Sequence, residues 1–286
     1  MSFRTRFAPS PTGPLHIGHA YSAILAHDMA RDAGGAFLLR IEDTDLQRSK
    51  PEWDALIQED LQWLGLAWDE PIHRQSEHID AYNARLETLA DRDLLYPCSC
   101  TRSDIRAALS APQEGAEHQV YPGTCRERTM ADRQPGDALR LDLAKALEVL
   151  GENHLVFEET GPAHAGFHSV DPARARGAIG DIILSRKGEG IVAYFLASAF
   201  DDADQRISHV IRGEDLFEFT PIQVILQHLF GLPTPIYHHH RLIRDEDGKR
   251  LAKRHDSRAI RTFREDGATP AGIRALVGLP GSNCVQ

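Results

Sequence analysis

The chain has 286 residues, 42% of them apolar and 26% charged, with a formal net charge of −10. That composition belongs to a globular protein with room for one large domain, or one domain carrying an insertion and an appendage. It excludes a chain coated in nucleic-acid-binding surface but leaves open a local basic face. No apolar run approaches the ~18 residues of a membrane span, and Met1-Ser-Phe-Arg4 leads into a strand without a signal-peptide core, so a cytoplasmic location is expected.

Phe3 to Ala8 reads as a strand, followed by a turn rich in Pro and Gly (Pro9 to Pro14) and a helix over residues 15–33 with Leu15, Ile24, Leu25 and Met29 at helical spacing. Strand, tight turn and helix N-terminus are where an α/β sheet places bound phosphate. His16 and His19, three apart, share one face of the first helical turn, and Gly18 leaves room for close approach. Gly34-Gly35 ends the helix, and Ala36 to Ile41 reads as a buried parallel strand with Glu42-Asp-Thr-Asp45 at its C-terminal end. Helices are expected over Pro51–Leu66 and Ser76–Leu95.

At Pro97 the pattern changes. Residues 98–175 are rich in Gly, Pro, Glu and His, with short apolar patches at 138–141 and 154–157, and read as an insertion into the sheet. Three of the four cysteines (Cys98, Cys100 and Cys125, with Cys284 apart) cluster here. In a cytosolic chain this spacing points to a tetrahedral metal such as Zn²⁺ rather than to disulfides. The fourth ligand is not fixed by spacing; His118 is the first chemical choice. Regular structure is expected again from Gly177, with a strand at 181–184, a helix starting near 191–196, a strand at 209–212, a helix over 221–230 and a last strand at 236–240. The segment 241–264 carries nine Lys/Arg against four acids.

Several strings carry a resemblance. His16-Ile-Gly-His19 resembles the HIGH signature of class I aminoacyl-tRNA synthetases, and Arg6 to Gly13 with Arg40 to Asp45 resembles their glutamyl/glutaminyl branch. Asp247-Gly-Lys-Arg250-Leu-Ala-Lys253-Arg254 resembles the KMSKS loop, with Arg250 in place of the first lysine and Ala252 in place of the serine. The resemblance implies a doubly wound, Rossmann-like α/β catalytic domain, in two halves at 1–97 and 176–240, with a zinc-binding insertion at 98–175 and a KMSKS-like loop and short helical appendage at 241–286. It implies ATP with Mg²⁺ as substrate, bound by Pro9, Gly18, Arg250, Leu251, Ala252, Lys253 and Arg254, with His16, His19 and Lys253 stabilising charge on the phosphates. The glutamate site would comprise Arg6, Ala8, Ser10, Glu42, Tyr194 and Arg212. Arginine forks suit its carboxylates, and Glu42 its ammonium. Ser198 departs from the asparagine expected in discriminating glutamyl enzymes.

Only 32 residues follow Arg254, fewer than an anticodon-binding domain of ~50 or more needs, so none is expected. That architecture resembles the glutamyl-queuosine tRNA(Asp) synthetases, which activate L-glutamate without tRNA and transfer it to queuosine in the anticodon loop of tRNA(Asp). This resemblance favours Tyr121 over His118 as the fourth ligand of a structural Zn²⁺ at Cys98, Cys100 and Cys125. A monomer without membrane contact is expected. Two alternatives are a minimal enzyme charging tRNA(Glu) and a catalytically inactive RNA-binding module.

Overall fold

The computed structural model describes residues 2–101, 103–105, 120–151, 154–187, 191–243 and 258–280. Strand β1 (Arg4–Phe7), helix α1 (Ile17–Asp32) and strand β2 (Ala36–Ile41) form the first unit, with β1 and β2 parallel and Arg6 beside Leu38. Gly35 makes the turn between helix and strand possible, because a Cβ there would lie 2.2 Å from the Phe3 carbonyl oxygen. Helix α2 (Pro51–Trp63) begins with Pro at its first position, which suits proline's missing N–H, and leads to the two-residue strand β3 (His73–Arg74), parallel to β2. Helix α3 (Ile79–Asp91) follows.

Strands β4 (Leu95–Cys98) and β5 (Ala138–Leu141) are antiparallel, and helix α4 (Leu143–Leu150) is capped by the Asp142 side chain. Strands β6 (Val156–Glu159) and β7 (Gly166–Ser169) form an antiparallel hairpin. Strand β8 (Ile183–Ser185) adds to β5 antiparallel and so closes the small β4–β5–β8 sheet. Helix α5 (Tyr194–Asp204), strand β9 (His209–Gly213), helix α6 (Thr220–Leu229) and strand β10 (Ile236–His240) restore the alternating pattern, with β9 and β10 parallel. Residues 156–159 sit inside the stretch expected as an insertion, yet β6 pairs in parallel with β10 through Glu159 and Tyr237. This part of the stretch belongs to the same sheet as β9.

The parallel β1–β2–β3 sheet and the mixed β7–β6–β10–β9 sheet meet where β9 lies beside β1: the Ser208 N–H donates to the Arg4 carbonyl (3.0 Å) and the Arg4 N–H to the Ser208 hydroxyl (2.8 Å). Successive strand residues face opposite sides. Leu38 and Val210 enter a core with α3, α5 and α6, while Leu39 and Ile211 enter a second core with α1 and α2. Two helical layers on one parallel sheet make the doubly wound form expected from the sequence. Helices α7 (Ile260–Glu265) and α8 (Pro270–Leu276) close the second core through Ile260, Ile273 and Val277. The Arg274 guanidinium forks onto Asp28 of α1 (2.5 and 3.0 Å). Against burial, its bonds and those of His27 bring the Asp28 carboxyl down to about 2. No helix among the described residues is long and apolar enough to cross a membrane.

Candidate active site

The C-terminal ends of β1, β2, β9 and β10 open on a cavity of ≈ 310 Å³. Its lining includes Arg6, Ala8, Pro9, Ser10, His16, Gly18, His19, Glu42, Tyr194 and Arg212. All the described residues nominated from sequence for amino acid and nucleotide therefore share one space. Arg250, Leu251, Ala252, Lys253 and Arg254 lie outside the described residues, as does His118. The flanks of the KMSKS-like segment do reach the site: Ile243 lines the cavity, Ala259 forms a bridge with His16, and the Ile260 N–H donates to the Leu15 carbonyl (2.8 Å).

The first turn of α1 explains its two histidines. His16 is the N-cap; its Nδ1 accepts from the Gly18 N–H (3.1 Å) while the His16 N–H donates to His19 Nδ1 (3.2 Å), a reciprocal capping box made of imidazoles. Both Nδ1 atoms act as acceptors, so each neutral ring carries its proton on Nε2, the atom able to donate to a phosphoryl oxygen. The rings stack with centroids 3.7 Å apart. Gly18 serves this arrangement: a Cβ there would press on the His16 ring at 3.1 Å. The glycine makes room for the capping ring in the first place.

Behind the cavity lies a buried ion network. Arg6 makes a fork with Asp202 (Nε 2.8 Å, Nη2 3.3 Å), and Arg40 donates to the same carboxylate (2.8 Å) and sits 3.8 Å from Asp201. Asp201 accepts from Tyr82 and Gln75 and meets His73 Nε2 at 3.1 Å. Burial would raise both aspartates, but the arginines, with His73 and Tyr82 at Asp201, outweigh it and hold both below the usual carboxylate range. Two arginines balance two aspartates, and Glu42 is the odd charge. Its Oε1 lies 3.6 Å from Arg40 and has no hydrogen-bond partner among the described residues. Burial pushes the Glu42 carboxyl up to about 7 despite Arg40 and Arg6.

Arg212, 6% exposed, has the opposite imbalance. Its acceptors are His239 Nε2 (2.9 Å), Tyr194 Oη (3.3 Å), Gln223 Oε1, Thr220 Oγ1 (2.8 Å) and the Leu216 carbonyl (3.4 Å). All are neutral, and among the described residues no carboxylate pairs with this cation. Ser198 holds the network from behind by accepting from Gln223 Nε2 (2.9 Å), which turns the amide oxygen toward Arg212. A buried guanidinium with no anion and a largely buried carboxylate with no donor among the described residues, on one cavity beside a phosphate-type helix N-terminus, suit a zwitterionic acidic amino acid next to a nucleotide. Sequence reasoning missed Asp202, Glu159, His239, Thr220 and Gln223. The available signal was a charged residue inside an apolar strand, as at Arg40.

The cysteines converge as well. The Cys98, Cys100 and Cys125 Sγ atoms all lie within 4.8 Å of one another. Tyr121 Oη is 3.5 Å from Cys98 Sγ and 3.4 Å from Cys100 Sγ, and accepts from the Cys125 N–H (2.9 Å). Burial would raise the Cys125 thiol, but bonds from Tyr121 and Ser99 bring it down to about 6. Three soft sulfur donors and a phenol at one point fit a four-coordinate zinc site.

Fold, cavity and helix N-terminus together define a class. The chain belongs to the class I tRNA synthetases (E and Q), whose catalytic-domain model matches residues 2–284. It is 54% identical over 279 residues to the Glutamyl-Q tRNA(Asp) synthetase of Rhodobacter capsulatus, covering 96% of this chain and 99% of that protein. It is 38% identical to the Glutamyl-Q tRNA(Asp) synthetase of Nitratidesulfovibrio vulgaris, covering 96% and 85%. Among solved structures, the glutamate tRNA ligase of Elizabethkingia meningosepticum in complex with its amino acid superposes with a TM-score of 0.75 at 28% identity, covering 97% of this chain and 60% of that one.

Proposed function

We propose that this chain activates L-glutamate with ATP without needing tRNA, then transfers the glutamate to the queuosine base of tRNA(Asp), acting as a monomer. The observation that supports the reading most is the pairing of Arg212, a buried cation without an anion among the described residues, with Glu42, a largely buried carboxylate whose Oε1 has no donor among them, on the cavity that His16 and His19 border. The glutamate side-chain carboxylate would complete Arg212, with the Tyr194 hydroxyl beside it, and the ammonium would complete Glu42. Arg6 and Ser10 line the same space and would receive the α-carboxylate.

The α-carboxylate oxygen forms a bond to the α-phosphorus of ATP, the bond between α-phosphorus and bridging oxygen breaks, and pyrophosphate leaves with that electron pair. The Nε2 protons of His16 and His19, with Lys253, stabilise the charge on the phosphoryl oxygens; removing one such donor costs ~10²–10³ in rate. Mg²⁺ held by the triphosphate supplies further charge neutralisation. In the second step a hydroxyl oxygen of the base bonds to the acyl carbon, the bond from that carbon to the phosphate oxygen breaks, and AMP leaves with the electron pair, its phosphate taking up the hydroxyl proton. Zinc on Cys98, Cys100, Cys125 and Tyr121 is structural in this reading.

Glutamate-dependent ATP–pyrophosphate exchange measured without tRNA tests the activation step. Exchange that falls steeply in Lys253→Ala is the expected result, followed by labelled glutamate appearing on tRNA(Asp) with queuosine and not on the same tRNA without it. Exchange that requires tRNA(Glu) would replace the reading with a charging enzyme, and no exchange under either condition would leave an RNA-binding module.

A further inference from the structure

Glu159 and His239 form a buried pair with no part in the chemistry above, each 1% exposed. They come from β6 and β10, neighbouring parallel strands. One carboxylate oxygen of Glu159 accepts from the His239 backbone N–H (2.9 Å) and from the Gly161 N–H; the other meets His239 Nδ1. The chain after β6 turns directly over the ring's own residue, where a Cβ on Gly161 would lie 2.1 Å from the His239 carbonyl oxygen. On its far side His239 Nε2 faces Arg212 Nε at 2.9 Å, with the Thr220 hydroxyl at 3.4 Å.

We propose that Glu159 fixes the tautomer of His239, and that His239 in turn holds Arg212 in the orientation that receives the side-chain carboxylate of the amino acid. Arg212 Nε–H can only donate, so His239 Nε2 must present a lone pair. The ring proton must then reside on Nδ1, opposite a group that only accepts, which an ionised carboxylate is. Burial, with repulsion from Arg212, lowers the His239 imidazole to about 4, and Glu159 stays ionised because bonds from His239 and Gly161 bring it down to about 2. The triad is therefore carboxylate, neutral imidazole and guanidinium through the neutral pH range. Groups facing the imidazole from other elements are Arg212 on β9, Thr220 on α6 and the ring of Phe217, while Tyr237 and His240 flank it on β10.

Glu159→Gln makes the idea testable with an isosteric change. The amide oxygen must stay with the two backbone N–H donors, so the amide NH₂ faces Nδ1. The ring proton then moves to Nε2, where it opposes the Arg212 N–H, donor against donor. Glu159 and His239 are positioning residues in this account, which rests on glutamate being the amino acid activated.

The test has two parts. The first is ¹⁵N NMR of the imidazole in the free protein, which reports the tautomer whatever reaction the protein performs: Nδ1–H in the wild type and Nε2–H in Glu159→Gln are expected. The second is pyrophosphate exchange, where the variant should raise the KM for glutamate about 10- to 100-fold, the range for losing a buried hydrogen bond to a charged group, with the KM for ATP unchanged. His239→Gln, which sets an amide oxygen near the position of Nε2, should recover most of the affinity. Nε2–H in the wild type, an unchanged glutamate KM in Glu159→Gln, or glutamate and ATP KM values rising together would each overturn the proposal. If Glu159→Gln does not fold, the wild-type tautomer and the His239→Gln kinetics decide. Absence of exchange in the wild type with the expected tautomer would instead count against the activation reading alone.

Discussion

Glu42 shows how a single buried carboxyl ties affinity to pH. Its neighbours already neutralise one another, Arg6 and Arg40 against Asp201 and Asp202, so its own ionisation adds an uncompensated charge to a buried place. Burial raises it to about 7, which leaves the free site a mixture of neutral and ionised forms at that pH. Only the ionised form attracts the ammonium of the amino acid. The KM for glutamate should therefore rise as pH falls through about 7 and level off above it, whereas Glu42→Gln should show a high KM with no such break; profiles of kcat/KM for both proteins across about pH 5.5–8.5 check this. A wild-type profile that matches the variant would remove Glu42 from ammonium binding. Arg6, Glu42 and Arg212 could be nominated from sequence because they sit at strand ends and suit an acidic amino acid, and Tyr194 because the family resemblance places it in the site. Their partners could not: Asp202 is 196 residues from Arg6, and the Glu159 carboxylate is 80 residues from the backbone it holds at His239. Such pairings exist only through the topology.

The first turn of α1 combines a folding task and a chemical one in the same rings. His16 caps the helix through Nδ1, and the same bond leaves the proton of the neutral ring on Nε2, where it can donate to a phosphate. Asparagine is a good N-cap without an imidazole donor, so two variants separate the tasks. His16→Asn should keep the melting temperature near that of the wild type while exchange falls ~10²–10³-fold. His16→Ala should lose the same activity and about 1 kcal/mol of stability besides. Calorimetry with exchange kinetics on both proteins is the measurement, and a His16→Ala protein as stable as the wild type would mean that the imidazole cap contributes nothing. At this scale the sequence was informative where periodicity and turn residues agree, as in β2 and β10, whose predicted and observed limits coincide. It was misleading between 154 and 185. A four-residue strand such as β6 is too short to carry a period, and β8 reads like a sheet strand although it pairs with β5 of the small antiparallel sheet.

The whole molecule has two large cores, one on each face of the parallel sheet, and a third cluster in the small sheet made of Tyr96, Cys98, Tyr121, Cys125 and Ala138. The third contains few apolar side chains, and two of its members are thiols, so its own hydrophobic gain is small. Asp181 reinforces it by accepting from Tyr96 (2.6 Å) and Arg126 (2.8 Å), and the Arg140 guanidinium lies 3.7 Å from the Tyr121 ring centroid. A metal on Cys98, Cys100, Cys125 and Tyr121 would supply folding free energy where burial does not, because such a site does not exist in the unfolded chain. About one zinc per chain is therefore expected by elemental analysis at the stoichiometry of a single four-ligand site. Chelation or Cys125→Ser should release it and speed backbone hydrogen exchange in β4, β5 and the residues around Tyr121. Leu95, Leu139, Leu141 and Leu184 tie the small sheet to the first large core, but β1, β9 and β10 pack without the thiols, so exchange there should stay slow. Glutamate-dependent pyrophosphate exchange should persist for the same reason, since His16, Glu42 and Arg212 are held by the central sheet. Metal-free wild-type protein with protection in β4 and β5 equal to that of Cys125→Ser would show that the thiols pack without a metal, and a collapse of protection in both sheets together would show that the two parts unfold as one.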